Sequence, residues 1–132
     1  MGVKILAKYI GDDNVELTHT PSGNKIITDL PLDNGGKGRT FSPTDLLASA
    51  LSSCILTIMA KIAAKENLDI KESEIEIEKI MSDKPPRRVA KFVGRIKLKG
   101  VSEDKKSVLL NAVKTCPVTK SLHPDIEISF SD

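Results

Sequence analysis

Residues 42–54 read SPTDLLASALSSC, and the reading of this run decides the fold. Ser42 is placed as a helix N-cap. Pro43 suits the first helical position, where the amide it lacks would have no partner. Asp45 stands at the third position, where a capping box ordinarily takes Glu or Gln. The spacing predicts a helix from Pro43 to about Glu66. Its middle is apolar nearly all round, the pattern of a helix buried on most sides. Leu47, Ala50 or Leu51, Cys54, Ile58 and Ile62 fall on one stripe. Ala48, Ser49, Ser52 and Ser53 are small enough to let another backbone approach closely.

Working outward from this helix, the preceding third of the chain is punctuated like a meander. VKILAKYI, VELTHT and KIITDL are strand candidates separated by the turns GDDN and PSGN. PLDNGGKGRTF follows without apolar periodicity, a loop whose glycines suit a surface feature or a lid. Beyond the helix, KESEIEIEKIM places Glu72, Glu74, Glu76 and Glu78 on one face. KFVGRIKLK does the same for Lys91, Arg95, Lys97 and Lys99. Joined by SDKPPRR, the two runs predict an antiparallel hairpin with one wet face and opposite charges across it. Next comes SEDKKSVLLNAVKT, an amphipathic helix with Ser102 as N-cap and Val108, Leu109, Ala112 and Val113 facing inward. In CPVTKSLHP, Pro117 stops that helix and opens a fresh short turn. IEISF is a final strand. The order βββ-α-ββ-α-β is α+β, with a long helix packed on sheet.

The 132 residues carry a net charge of +2, 39% hydrophobic and 29% charged residues, and only 3% aromatics without Trp. That length and balance predict one domain over residues 1–132, soluble, with an aliphatic core. The near-neutral charge and scarcity of stacking platforms argue against nucleic acid and membrane as partners. No secretory signal opens the chain. Residues 46–60, the longest apolar run, are interrupted by Ser49, Ser52, Ser53 and Thr57 and fall short of the roughly 20 residues of a membrane helix. A cytoplasmic location follows. There, two cysteines are free, metal-bound or redox-active rather than a permanent staple. No metal or cofactor is expected: two cysteines cannot close a structural zinc site, and His19 and His123 lack ligand spacing relative to them.

Taken alone, Cys54 reads as a small hydrophobe in an oily stripe. A reactive Cys54 would need to be a thiolate. It lies roughly 15 Å from the helix start, too far for the helix dipole to help, so a cation would have to come from elsewhere. Cys116 precedes Pro117 at the start of a new turn, where free amides favour an anion. Local sequence therefore makes Cys116 the more acidic thiol, or else a plain half-buried linker residue.

A Ser-Pro cap, a Leu-Leu-Ala helix, a cysteine in mid-helix and a later Cys-Pro-Val-Thr, in this order and spacing, resemble the OsmC/Ohr family over essentially the whole chain. These are the osmotically inducible protein C and organic hydroperoxide resistance proteins. The resemblance implies an OsmC-like α+β fold: an N-terminal meander, a long buried central helix, a hairpin, a second helix and a C-terminal strand. It also implies an intertwined homodimer with active sites at the subunit interface. The implied activity is a thiol-dependent peroxidase reducing organic hydroperoxides. Carried over, Cys54 is the peroxidatic cysteine and Cys116 the resolving one, which reverses the local ranking of the two thiols. The implied partners are a small organic hydroperoxide and an external dithiol reductant. The corresponding cell role is antioxidant, in the oxidative stress response.

The chain departs from the family pattern in the activating dyad. Where the family's well-characterised peroxidases carry Glu after the cap proline, this chain has Thr44, with Asp45 one place later. The activating arginine of their N-terminal strand is replaced by Lys4 and Lys8. Arg39, in the loop before the helix, is the candidate substitute, with Asp45 and Thr44 as supporting residues. Two alternatives use the same fold: a small-molecule binding protein without turnover, and a redox sensor whose disulfide alters a partner surface.

Overall fold

Three short strands, β1 (Ile5–Gly11), β2 (Asn14–His19) and β3 (Lys25–Thr28), open the computed structural model, which describes residues 1–132. They form an antiparallel sheet in the order β1-β2-β3, with Tyr9 opposite Val15 and Leu17 opposite Ile26. The chain divides into two compact units, Met1–Leu46 and Leu47–Asp132.

In the first unit the predicted meander is present, but it has no hydrophobic core of its own. Its buried residues are polar: Thr28, Asp29 and Ser42. Ile5, Leu6, Tyr9, Ile10, Ile26 and Ile27 are all exposed. After β3 the expected loose glycine loop is instead pinned. A 3-10 turn spans Leu32–Asn34. The Gly36 amide then donates to the Pro31 carbonyl at 2.9 Å, and the Gly38 amide to that of Leu30 at 3.0 Å. The Gly36 backbone passes so near Leu30 that a Cβ there would sit 2.1 Å from the Leu30 carbonyl oxygen. Here glycine allows close packing of backbone on backbone rather than flexibility.

Helix α1 (Pro43–Lys65) begins as the sequence predicts. The Asp45 amide donates to the Ser42 hydroxyl at 3.0 Å and the Ser42 amide to the Asp45 carboxylate at 2.8 Å, a reciprocal capping box with Asp in place of Glu. The buried seam, however, is Ala48, Leu51, Ile55, Met59 and Ala63. Cys54, Ile58 and Ile62 flank it half-buried, while Leu47, Ala50, Ser53, Thr57, Ala60 and Ala64 are exposed. The predicted stripe is thus turned by about one residue, and one face is buried rather than most sides. A helix apolar all round carries no periodicity to say which face the sheet will cover. Length and composition alone would let α1 cross a bilayer. Its seam instead packs with Phe92 and Ile96 of the second sheet, as a core helix does.

That second sheet holds β4 (Glu74–Met81), β5 (Val89–Lys97) and β6 (Glu127–Ser131) in the order β4-β5-β6. β4 and β5 form the predicted hairpin, with Glu74 opposite Lys97 and Glu76 opposite Arg95. Lys91 is opposite Ile80 on that side; on the other it reaches Glu127 of β6, 3.6 Å away across a parallel pairing. Gly94 in β5 leaves room for the Phe130 ring of β6, which would stand 2.1 Å from a Cβ there. The predicted second helix is present as α2 (Glu103–Leu110) and α3 (Ala112–Thr115), separated at Asn111. Pro117 ends this run as expected and begins α4 (Pro117–Ser121).

Candidate functional site

Cys54 and Cys116 are both free thiols, brought together from α1 and from the junction of α3 and α4. Cys116 is 0% exposed and belongs to the apolar cluster of Leu51, Ile55, Phe92, Leu109 and Ala112. Cys54 packs against that cluster from its edge and stays partly exposed. Of the two cysteines, Cys54 is therefore the more accessible and Cys116 is enclosed in the core.

The local chain explains the environment of Cys116. It is the N-cap residue of α4, with Pro117 at the first helical position. Pro117 has no amide, so the first orphan donors of α4 are those of Val118 and Thr119. No conventional side-chain cap bond forms. The two amides still face the Cys116 sulfur as aligned dipoles.

The two thiols shift in opposite directions. Burial pushes the Cys54 thiol up, and the hydrogen bond it offers Cys116 adds to this, with the Val118 amide opposing. Burial also disfavours a Cys116 thiolate. There it is outweighed by the hydrogen bond from Cys54 and the amides of Thr119 and Val118, so the Cys116 thiol titrates below its usual range. The Thr119 hydroxyl also lowers it, ahead of the Val118 amide, and lies 3.1 Å from the Val113 carbonyl, to which it donates. Of the two thiols, Cys116 is thus the one more readily ionised. The local reading of acidity holds, and access and acidity fall on different sulfurs.

Arg39 lies in the first unit. Its guanidinium takes Asp29 in a two-point grip, Nε to Oδ2 at 2.8 Å and Nη2 to Oδ1 at 3.0 Å. It also reaches Asp12, Nη1 to Oδ2 at 2.7 Å. The hydrogen bonds from Arg39 hold the Asp29 carboxyl well below the usual carboxylate range, and those to Asp29 and Asp12 raise the guanidinium in turn. Thr44 and Asp45 serve the start of α1: the Thr44 hydroxyl lies 3.3 Å from that of Ser42, and Asp45 closes the capping box. His19 bonds Ser22 at 2.6 Å, and the exposed His123 accepts the Asp125 amide at 3.1 Å. Asp29 and Asp12, the partners of Arg39, went unnoticed in the sequence. A lone aspartate ending a strand pattern and another in a turn give no signal of a remote arginine.

The OsmC-like protein profile matches residues 36–131. The chain belongs to the OsmC-like family. A candidate osmotic stress induced and detoxification response protein from Psychrobacter arcticus 273-4 is 40% identical. The match covers 98% of this chain and 96% of that one, with a TM-score of 0.90. Two solved structures share the OsmC-like fold at lower identity. The organic hydroperoxide resistance protein OsmC from Legionella pneumophila is 18% identical over 98% of this chain and 97% of its own, with a TM-score of 0.74. The organic hydroperoxide resistance protein OhrB of Bacillus subtilis is 20% identical over 99% and 97%, with a TM-score of 0.68. No protein of curated function matches the chain. Membership in the OsmC-like family supports a redox or peroxide-stress role.

Proposed function

We propose that this protein is a thiol-dependent peroxidase for small organic hydroperoxides, with Cys54 as peroxidatic and Cys116 as resolving cysteine. The observation that carries the reading is the arrangement of the two thiols: a partly exposed sulfur directly against a buried one. The exposed sulfur attacks the distal peroxide oxygen and becomes a sulfenic acid. The buried sulfur, already in contact, closes the disulfide before further oxidation. An external dithiol then reopens it. The apolar surroundings favour an organic hydroperoxide over hydrogen peroxide. Cytoplasmic residence fits a protein that depends on such reduction.

Arg39, Thr44 and Asp45 support this chemistry by ordering the segment that leads into α1. Arg39 grips Asp29 at the end of β3, while Asp45 and Thr44 serve the Ser42 cap. The working unit is a homodimer. A sheet with aliphatic side chains exposed on both faces marks an interaction surface. A second copy can cover that sheet and the exposed small-residue face of α1.

The test is stopped-flow mixing of reduced protein with tert-butyl hydroperoxide, followed by sulfenate trapping and disulfide mapping. Wild type forms a Cys54–Cys116 disulfide and turns over with a dithiol. Cys54→Ser consumes no peroxide, and Cys116→Ser retains sulfenic acid on Cys54. A disulfide that forms once without dithiol turnover would instead make the protein a redox sensor, and inert thiols would make it a binding protein.

A further inference from the structure

We infer that Lys37 and Arg39 form a receptor for a single external carboxylate, and that the Asp12 side chain occupies its seat as a tethered stand-in. The site lies wholly within the Met1–Leu46 unit and is independent of the thiol chemistry. It gives a task to the glycine-rich segment before α1 beyond that of a connection.

The geometry around Asp12 is that of a bound carboxylate. Its two oxygens are divided between two cations: Lys37 Nζ donates to Oδ1 at 3.2 Å and Arg39 Nη1 to Oδ2 at 2.7 Å. Gly38 allows the convergence. Its left-handed backbone (φ 56°) turns the chain between the two cationic residues, and its amide is held on the Leu30 carbonyl at 3.0 Å. Asp29 fixes the receptor rather than filling it. Its side chain is 0% exposed and takes Arg39 Nε, Nη2 and the Arg39 amide, so the guanidinium stays in place whatever meets its outer edge. Asp12 is the opposite case, a side chain 61% exposed on the β1–β2 turn. Ion pairs so open to water are worth little and yield to a competitor.

Charge sets the class of ligand. With Asp12 seated, two cations meet two carboxylates. With Asp12 withdrawn, Asp29 still neutralises one cation and a single positive charge is left, which suits one ionised carboxylate. The hydrogen bonds from Arg39 and Lys37 hold the Asp12 carboxyl below its ordinary value, so the seat favours the ionised form. Displacement also reaches the β1–β2 turn, where Asp12 and Asp13 both hold positive φ (54° and 64°). The turn keeps the bond from Arg39 Nη2 to the Asp12 carbonyl at 2.7 Å but loses its two side-chain ties, so a carboxylate bound here loosens it.

The experiment titrates full-length protein with sodium acetate, and with sodium chloride at matched ionic strength, and follows the nitrogen–proton NMR resonance of Arg39 Nε. Asp12→Gly empties the seat and suits the left-handed backbone. Asp12→Asn keeps the shape of the side chain and removes its charge. We expect saturable acetate binding in both variants, about tenfold or more tighter than in wild type, because the tethered carboxylate no longer competes. Lys37→Ala in the Asp12→Gly background weakens that binding again, and chloride gives no saturable shift in any of them. Equal responses to acetate and chloride in both Asp12 variants overturn the proposal, as does equal acetate affinity in wild type and variants. An acetate affinity indifferent to Lys37→Ala overturns the two-cation receptor. Loss of the Arg39 Nε resonance in both Asp12 variants overturns it too, because Asp12 would then be holding the guanidinium in place.

Discussion

Arg39 and Asp29 are joined at three points: two from the guanidinium, and the Arg39 amide to Asp29 Oδ2 at 2.8 Å. Asp29 is 1% exposed, so the grip encloses a carboxylate that water scarcely reaches. Asn14 adds a further donor, its Nδ2 standing 3.3 Å from Asp29 Oδ1. An arginine held this way sets the course of the chain between β3 and α1.

If Arg39 serves the thiols by position, then charge alone does not replace it. Arg39→Lys keeps the cation and loses the two-point geometry. We expect Arg39→Lys to slow sulfenate formation nearly as much as Arg39→Ala, with neither rescued by raising pH. Stopped-flow oxidation over pH checks this. Retention of rate in Arg39→Lys together with alkaline rescue of Arg39→Ala would show that the guanidinium acts through its charge.

Asp29 ties stability to acid. Its folded-state pKa is depressed from 3.8 chiefly by the Arg39 hydrogen bonds. Its contribution is therefore present in full above the unfolded value and lost as pH falls through the folded one. Thermal unfolding should begin to lose stability below about pH 4 and keep losing it to still lower pH. Asp29→Asn should lower the Tm at neutral pH and flatten that acid limb. A limb of unchanged slope in Asp29→Asn would place the acid sensitivity in other carboxylates.

The Phe130 ring occupies the space that a side chain on Gly94 would need. Gly94→Ala should cost about 1–3 kcal/mol in urea unfolding by forcing that ring aside. Adding Phe130→Leu should cost less in the Gly94→Ala background than in wild type, a coupling that a double-mutant cycle reads directly. Additive losses would mean that the ring moves away freely.

Ala60 lies on the exposed face of α1, so an arginine there is harmless to an isolated chain. In a dimer joined through that face it obstructs close helix approach. Sedimentation should show wild type as a dimer at micromolar concentration and Ala60→Arg shifted towards monomer. A monomeric wild type would remove the dimer from the proposal, and a dimer unaffected by Ala60→Arg would move the interface to the exposed meander.

What was legible in the sequence was whatever neighbours along the chain decide. Ser42, Pro43 and Asp45 set the start of α1 within one turn. Alternating glutamates and isoleucines made β4, and Pro117 ended one helix while its missing amide prepared the cap at Cys116. The local amides of Val118 and Thr119 favour Cys116 as the more acidic thiol, but the larger influence is the hydrogen bond from Cys54, which only the tertiary fold supplies. Tertiary structure alone decided the rest. It chose Ala48, Leu51, Ile55, Met59 and Ala63 as the covered seam of a helix whose pattern left the face open. It brought Arg39 to Asp29 and Asp12, ten and twenty-seven residues away, and set a partly exposed Cys54 against a buried Cys116. Capping, turns and alternation depend on groups within a few bonds of one another. Burial and ion pairing depend on which distant surfaces meet, and no local pattern encodes that meeting.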